Sequence, residues 1–197
     1  MNEMIKMVVV LTLLSSLSGG LLAAVRNGTS DQIENQKLKF VKGPAIKAIL
    51  EGASNDPITD RFKITDGETE RSFFVGIFDG KPNAVTIESF GKGYGGDVGL
   101  MVGINTDDDN IIGVSVTTHA ETPGLGARAK DDPAFAGQYK GLSVDTPIKV
   151  TKDGGAINAI GGATITSRAV CAAATDASEI YKRLKPQVTE KLKDFSK

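Results

Sequence analysis

The sequence predicts an α+β protein: one N-terminal transmembrane helix, then a single domain with a twisted antiparallel sheet packed by helices against one side. Three observations point there. Residues 4–25 are almost wholly apolar or small. Segments of strand composition follow one another across short turns in the middle of the chain, which favours antiparallel pairing. Helical spacing of apolar residues appears only before and after those strands.

Taken in order, the apolar run comes first. At ~1.5 Å per residue, about 20 such residues match a ~30 Å hydrocarbon core. Lys6 near its start and Leu21-Leu22-Ala23-Ala24 near its end are features a cleaved signal would share. The run is longer than the ~7–15-residue core of a signal, which favours a retained anchor. The expected boundary puts the anchor at 1–26 and the globular domain at 27–197. Only Lys6 precedes the span, whereas Arg26, Lys37 and Lys39 follow it. Counted alone, those charges do not favour export of the C-terminal domain.

Residues 33–52 carry Ile33, Phe40, Val41, Ala45, Ile46, Ile49 and Leu50 at helix-like spacing, and Gly43-Pro44 splits them into two short helices. Ser54-Asn55-Asp56-Pro57 reads as a loop. Strands are expected at 71–78, 84–90, 98–104 and 111–117. Between them lie a turn at 79–83, a glycine loop at 91–96 and the acidic turn Asn105 to Asn110. Periodicity is lost over 118–141, where Asp132-Pro133 opens a short helix. A further hairpin is expected over 148–160, turning at Lys152-Asp153-Gly154-Gly155. The last long helix is expected from about Thr166 to Leu184, broken by Pro186, with a short final helix over 188–195.

Composition removes several function classes. The 23 basic and 24 acidic residues give a net charge of −1, which provides no surface for nucleic acid. One histidine and one cysteine do not make a multi-ligand transition-metal site, and Cys171 among alanines reads as a small buried residue. Asp107-Asp108-Asp109 lacks the mid-loop glycine and terminal glutamate of an EF-hand, because Ile111-Ile112 follow at once; it reads as a solvated turn.

Three glycine-bearing segments hold the candidate chemistry. Gly91 to Gly96 lacks the strand–turn–helix setting of a dinucleotide fingerprint. It lines a ligand pocket or is a plain mobile loop. His119-Ala120-Glu121-Thr122-Pro123-Gly124-Leu125-Gly126 leaves a strand and turns sharply at Pro123-Gly124. Its glycines bring backbone N–H groups close to a planar ligand, with Leu125 as an apolar lid. His119 and Glu121 are candidates for an acid–base pair, although no nucleophile or second carboxylate lies nearby to support hydrolysis. Gly161-Gly162-Ala163-Thr164-Ile165-Thr166-Ser167-Arg168 is a glycine turn opening onto a helix N-terminus, a setting that suits a phosphate. Its bland reading is a helix start capped by Thr166 or Ser167.

Taken with the anchor, Gly93-Tyr94-Gly95-Gly96 and Met101-Val102-Gly103-Ile104, the last two segments resemble the G subunit of Rnf electron-transport complexes. The C subunit of the sodium-translocating NADH:quinone oxidoreductase is a relative of that family. The resemblance implies an FMN-binding domain in a membrane-bound, ion-translocating oxidoreductase of ferredoxin/NAD electron transport. It implies FMN joined to Thr164 by a phosphoester and installed from FAD by a flavin transferase. Thr166 and Ser167, with helix N–H groups, would help hold the phosphate, and the Glu121 to Gly126 loop, with Thr122, Gly124 and Leu125, would lie against the ring; Gly162, Ala163 and His119 are further cofactor-binding residues that it implies. The implied partners are the other complex subunits, above all the membrane flavoprotein subunit. The implied location is the cytoplasmic membrane, with a single pass and the domain on the extracytoplasmic side. Asn158 and Gly161 stand where the attachment motif has an acidic residue and a hydroxyl residue. Non-covalent FMN, or a non-redox scaffold with a decayed site, are the competing readings.

Overall fold

The computed structural model describes residues 2–196. The chain divides into two compact units, one ending at Leu38 and the other beginning at Lys39.

The first unit is helical. Helix α1, Glu3–Lys37, contains the apolar run and continues past Arg26. No proline interrupts it before Pro44. Met4, Leu11, Leu14, Leu17 and Leu22 are all exposed. Over the apolar run these side chains are exposed on every side of the helix among the described residues. Glu3–Ser30 is long and apolar enough to cross a membrane, by length and composition.

A π-helical stretch, Leu38–Lys42, leads into the short helix α2, Gly43–Ile49, with Pro44 in its first turn. The sheet follows: β1 Arg61–Asp66, β2 Thr69–Phe78, β3 Lys81–Lys92, β4 Asp97–Asn105 and β5 Ile111–Thr118. All neighbours are antiparallel, in the order β1-β2-β3-β4-β5. Strand β1 falls where no strand is expected from the sequence. It carries only Phe62 and Ile64 on its buried side, and polar residues elsewhere.

Helices cover both faces of this sheet, not one. Helix α5, Thr164–Leu192, packs on β1, β3 and β4. Its Val170, Ala173, Ala174, Ala177 and Tyr181 share a core with Val98, Leu100, Val102 and Ile104. On the other face α2 packs on β4 and β5. There Gly103 pairs with Gly113, and Ile49 fills the trough that two missing side chains leave. Glu88 on the same face accepts from the Thr117 hydroxyl at 2.9 Å and pairs with Lys42 at 2.7 Å.

Two expectations for the C-terminal third need correction. The hairpin over 148–160 is absent: Val150 and Ile157 make a single parallel bridge around a 3-10 turn at Thr151–Asp153, with Gly154 left-handed. Nor does Pro186 break the last helix. The stripe Ile180, Leu184, Val188 and Leu192 continues across it, buried, while Pro186 faces solvent. An internal proline costs about 3 kcal/mol. Burying a Val and a Leu returns roughly 1.5–3 kcal/mol each, which is enough to carry the helix through.

Between β5 and α5 lie α3 Arg128–Asp131 and α4 Pro133–Gly137. Asp132 caps α4, accepting from the Ala134 amide at 3.0 Å, with Pro133 in the first turn as expected. Cys171 is buried against the Tyr139 hydroxyl at 3.3 Å, and burial pushes both groups' pKa up, so the thiol is a protonated packing group.

Candidate functional site

The N-terminus of α5 meets two loops at one end of the sheet. Sequence places it there through Gly91 on β3: a side chain at that position would run into the Ala169 carbonyl, so the helix lies directly on the strand backbone. Gly162 has φ +78°, which turns the chain into the helix. No side chain caps that helix start, and the residue before it is Ala163 rather than Thr166 or Ser167. The first-turn amides of Thr164, Ile165 and Thr166 therefore have no carbonyl behind them in the helix.

The three hydroxyls of this segment have different fates. Ser167 is fully buried: its oxygen donates to the Ala163 carbonyl at 2.9 Å and accepts from the Ile160 amide at 3.0 Å. Thr166 is also buried, and its hydroxyl donates to Glu121 Oε2. Thr164 is half-buried, and its hydroxyl makes no hydrogen bond among the described residues. Of three similar groups, two are consumed by structure and one is free.

Glu121 is the centre of the wall. Its Oε1 accepts from the Gly95 amide at 2.8 Å, and its Oε2 holds Thr166, so one buried carboxylate joins the β3–β4 turn, the β5–α3 loop and α5. A Cβ at Gly126 would sit 2.6 Å from Glu121 Oε2 and 2.7 Å from the Thr166 oxygen, so only glycine lets the loop close. The Thr122–Leu125 turn has Pro123 at its second position and Gly124 at φ +75°, with the Leu125 amide donating to the Thr122 carbonyl at 3.2 Å. His119 does not pair with the Glu121 side chain. Its Nδ1 accepts from the Glu121 backbone amide at 3.3 Å, so the expected acid–base pair is a strand-end contact.

These segments enclose a cavity of about 660 Å³. Of the residues expected at the site, Glu121, Thr122, Leu125, Gly162, Ala163, Thr164 and Thr166 line it together. Ser167 lies behind the wall, and His119 and Gly124 are not among the lining residues. Tyr94 and Gly126, from the two glycine segments expected near a ligand, line it too, as do Lys152 and Ile165, for which no contact to a ligand is expected from the sequence. The pocket-lining reading of the 91–96 glycine loop holds for Tyr94, whose turn is closed by the Gly93 amide donating to the Gly96 carbonyl at 2.8 Å. For Lys152 the signal is hidden by the hairpin expected there.

Charge is placed with some order. Asp153 takes both Arg168 Nε and Nη2 at 2.7 Å, and this pair holds the Asp153 carboxyl below the usual carboxylate range. Lys152, beside it, makes no ion pair within 4 Å among the described residues. No group of three or more His, Cys, Asp or Glu side chains is arranged to hold a metal among the described residues. Three first-turn amides and the unbonded Thr164 hydroxyl thus stand together at one wall, a setting that suits an anion. Apolar cover comes from Tyr94, Leu125 and Ile165, which are all exposed at its rim.

Residues 93–179 match the model of an FMN-binding domain. The chain is similar to the G subunit of the ion-translocating oxidoreductase complex of Methanosarcina acetivorans, 36% identical over 86% of this chain and 89% of that protein. It is also similar to the G subunit of the proton-translocating ferredoxin:NAD(+) oxidoreductase complex of Clostridium ljungdahlii, 33% identical over 86% of each. Among solved structures, the C subunit of the Na(+)-translocating NADH-quinone reductase of Parabacteroides distasonis has the same fold. It shows a TM-score of 0.61 at 21% identity, over 78% of this chain and 94% of that one.

Proposed function

The chain belongs to the family of G subunits of ion-translocating oxidoreductase complexes, and on that premise we propose that it is an electron-carrying subunit with FMN tied covalently to Thr164. The single observation behind the attachment point is the free hydroxyl of Thr164, beside two hydroxyls already engaged.

The residues present fit the group. Thr164 offers an unbonded oxygen on the cavity wall, in the first turn of an uncapped 29-residue helix. Its first-turn amides and the helix dipole suit a phosphate. Tyr94, Leu125 and Ile165 supply apolar cover for a planar ring. Bound FMN would supply reversible electron transfer, and a phosphoester tether would keep it through every cycle.

The chain's own residues then do three things. Thr164 fixes the attachment. Glu121 holds the two loops against α5, so the cavity is formed before a ligand enters. The rim side chains keep water from the ring. The apolar helix α1 makes the protein membrane-associated, with the domain on the extracytoplasmic side and the membrane flavoprotein subunit as neighbour. A flavin transferase would load the site from FAD.

The test is the intact mass and in-gel flavin fluorescence of the full chain expressed with the transferase. Wild type is expected to gain one FMN, Thr164→Val to gain none, and Thr166→Val to keep it. Fluorescence that survives in Thr164→Val and disappears in Thr166→Val moves the attachment. Flavin released from wild type by acid precipitation makes the binding non-covalent.

A further inference from the structure

Lys152 is the one basic side chain among the described residues that line the cavity. The only carboxylate in that lining, Glu121, is already spent on Gly95 and Thr166. Lys152 sits in the 3-10 turn Thr151–Asp153, which is tightly held. Gly154 is left-handed, the Gly155 amide donates to the Val150 carbonyl at 3.0 Å, and a side chain on Gly155 would run into the Lys149 backbone. Its neighbour Asp153 is the natural competitor for its charge. Arg168, on the first turns of α5, takes both Asp153 oxygens in a two-pronged pair. A fork of this kind satisfies a carboxylate more fully than a lysine does.

We propose that Lys152 is the cation that faces the phosphate carried on Thr164, and that Arg168 is a positioning residue that keeps Asp153 from capturing it. This rests on the FMN reading above. The first-turn amides carry only partial charge and are fixed in place, whereas a lysine on a rigid turn adds a full charge at the mouth of the same cavity. Lys149 and Lys152 both act on Asp153 electrostatically, though neither makes an ion pair with it within 4 Å among the described residues; Lys149 lines the neighbouring groove along α5 instead. The arrangement makes an unusual forecast. Loss of Arg168 frees Asp153 to pair with Lys152 and so weakens the site, and removing the Asp153 charge as well restores it.

Two measurements on the full chain decide it. In the Thr164→Val background, which cannot be loaded, FMN and riboflavin are titrated by flavin fluorescence. Lys152→Gln is expected to weaken FMN about tenfold, the scale of one charged hydrogen bond, and to leave riboflavin unchanged. An equal loss for both flavins puts Lys152 on the ring and overturns the proposal; no loss for either also overturns it. With Thr164 intact, the initial rate of FMN incorporation is followed by intact mass. Lys152→Gln is expected to slow it about tenfold. Arg168→Met is expected to slow it less, and Asp153→Asn with Arg168→Met to bring it back to the wild-type rate. If the double variant is no faster than Arg168→Met, the pair is merely structural and the proposal falls. If wild type gains no mass at all, the covalent reading fails, and the FMN titration still decides the role of Lys152.

Discussion

The two ends of the sheet are built from the same parts and finished differently. At one end the β4–β5 turn carries Asp107, Asp108 and Asp109, and α5 reaches it late in its length. Asp109 accepts from the Tyr181 hydroxyl at 2.8 Å and from Lys185 at 2.5 Å, and its carbonyl accepts from the Val144 amide. At the other end the β3–β4 turn meets the first turn of α5. There a hydroxyl and three amides have no hydrogen-bond partner, and a lysine makes no ion pair within 4 Å, among the described residues. A helix terminus left open beside a formed cavity costs stability unless something fills it. The closed end is what a structural junction looks like, and the open end is what a ligand site looks like.

Breaking the contact that sets the open end should have the largest effect. Gly91→Ala puts a methyl group into the Ala169 backbone, which cannot rotate away. Overpacking of this kind costs about 3 kcal/mol, and the whole first turn of α5 must lift from β3. The full chain in detergent should show that loss in urea unfolding, together with reduced FMN incorporation. A variant with unchanged stability would mean that α5 is not seated on the strand backbone.

The next effect sharpens the distinction at the centre of the wall. Glu121→Ala leaves the Thr166 hydroxyl and the Gly95 amide without their acceptor, at about 1–3 kcal/mol. Amide exchange at Gly95 should rise, because the Gly93–Gly96 turn is no longer tied to the loop. Glu121→Gln keeps an acceptor for Gly95 and should recover most of the stability and the slow exchange. If alanine and glutamine behave alike, the carboxylate is not joining the three segments.

How much of this was legible in the sequence depends on the kind of signal each part leaves. Strands β2 to β5 alternate or run apolar between turn residues, so their existence is readable. Strand β1 shows only Phe62 and Ile64 because, as an edge strand, it buries one face and charges the other. Pro186 misleads because local propensity is overridden by a stripe whose value appears only once the sheet is present. The helix α2 face was missed for a similar reason: Gly103 and Gly113 look like weak strand residues until Ile49 fills them. At the site, the segments 119–126 and 161–168 announce themselves by composition. The 91–96 loop with Tyr94 is legible only as one of two readings, and Lys152 is not legible at all, since nothing local says that residues from three loops converge.

The smallest effect tests the closed end. Tyr181→Phe removes one hydrogen bond to Asp109, worth about 1 kcal/mol near neutral pH. It should leave FMN incorporation untouched, because the proposed flavin site lies at the other end of α5. Its pH dependence carries a sign. Burial first, and then the bond to Asp109, raise the phenol pKa in the folded chain. The unfolded chain releases that proton near pH ~10, so the folded state binds more protons above that point. The stability contributed by the neutral phenol is complete below about pH 10 and declines as pH rises beyond it. Phenylalanine has no such proton, so the gap between wild type and Tyr181→Phe should narrow between about pH 9 and about pH 11 in urea unfolding. A gap that stays constant over that range would mean the phenol is not held neutral by its surroundings. The acidic turn would then be less firmly closed than the geometry makes it.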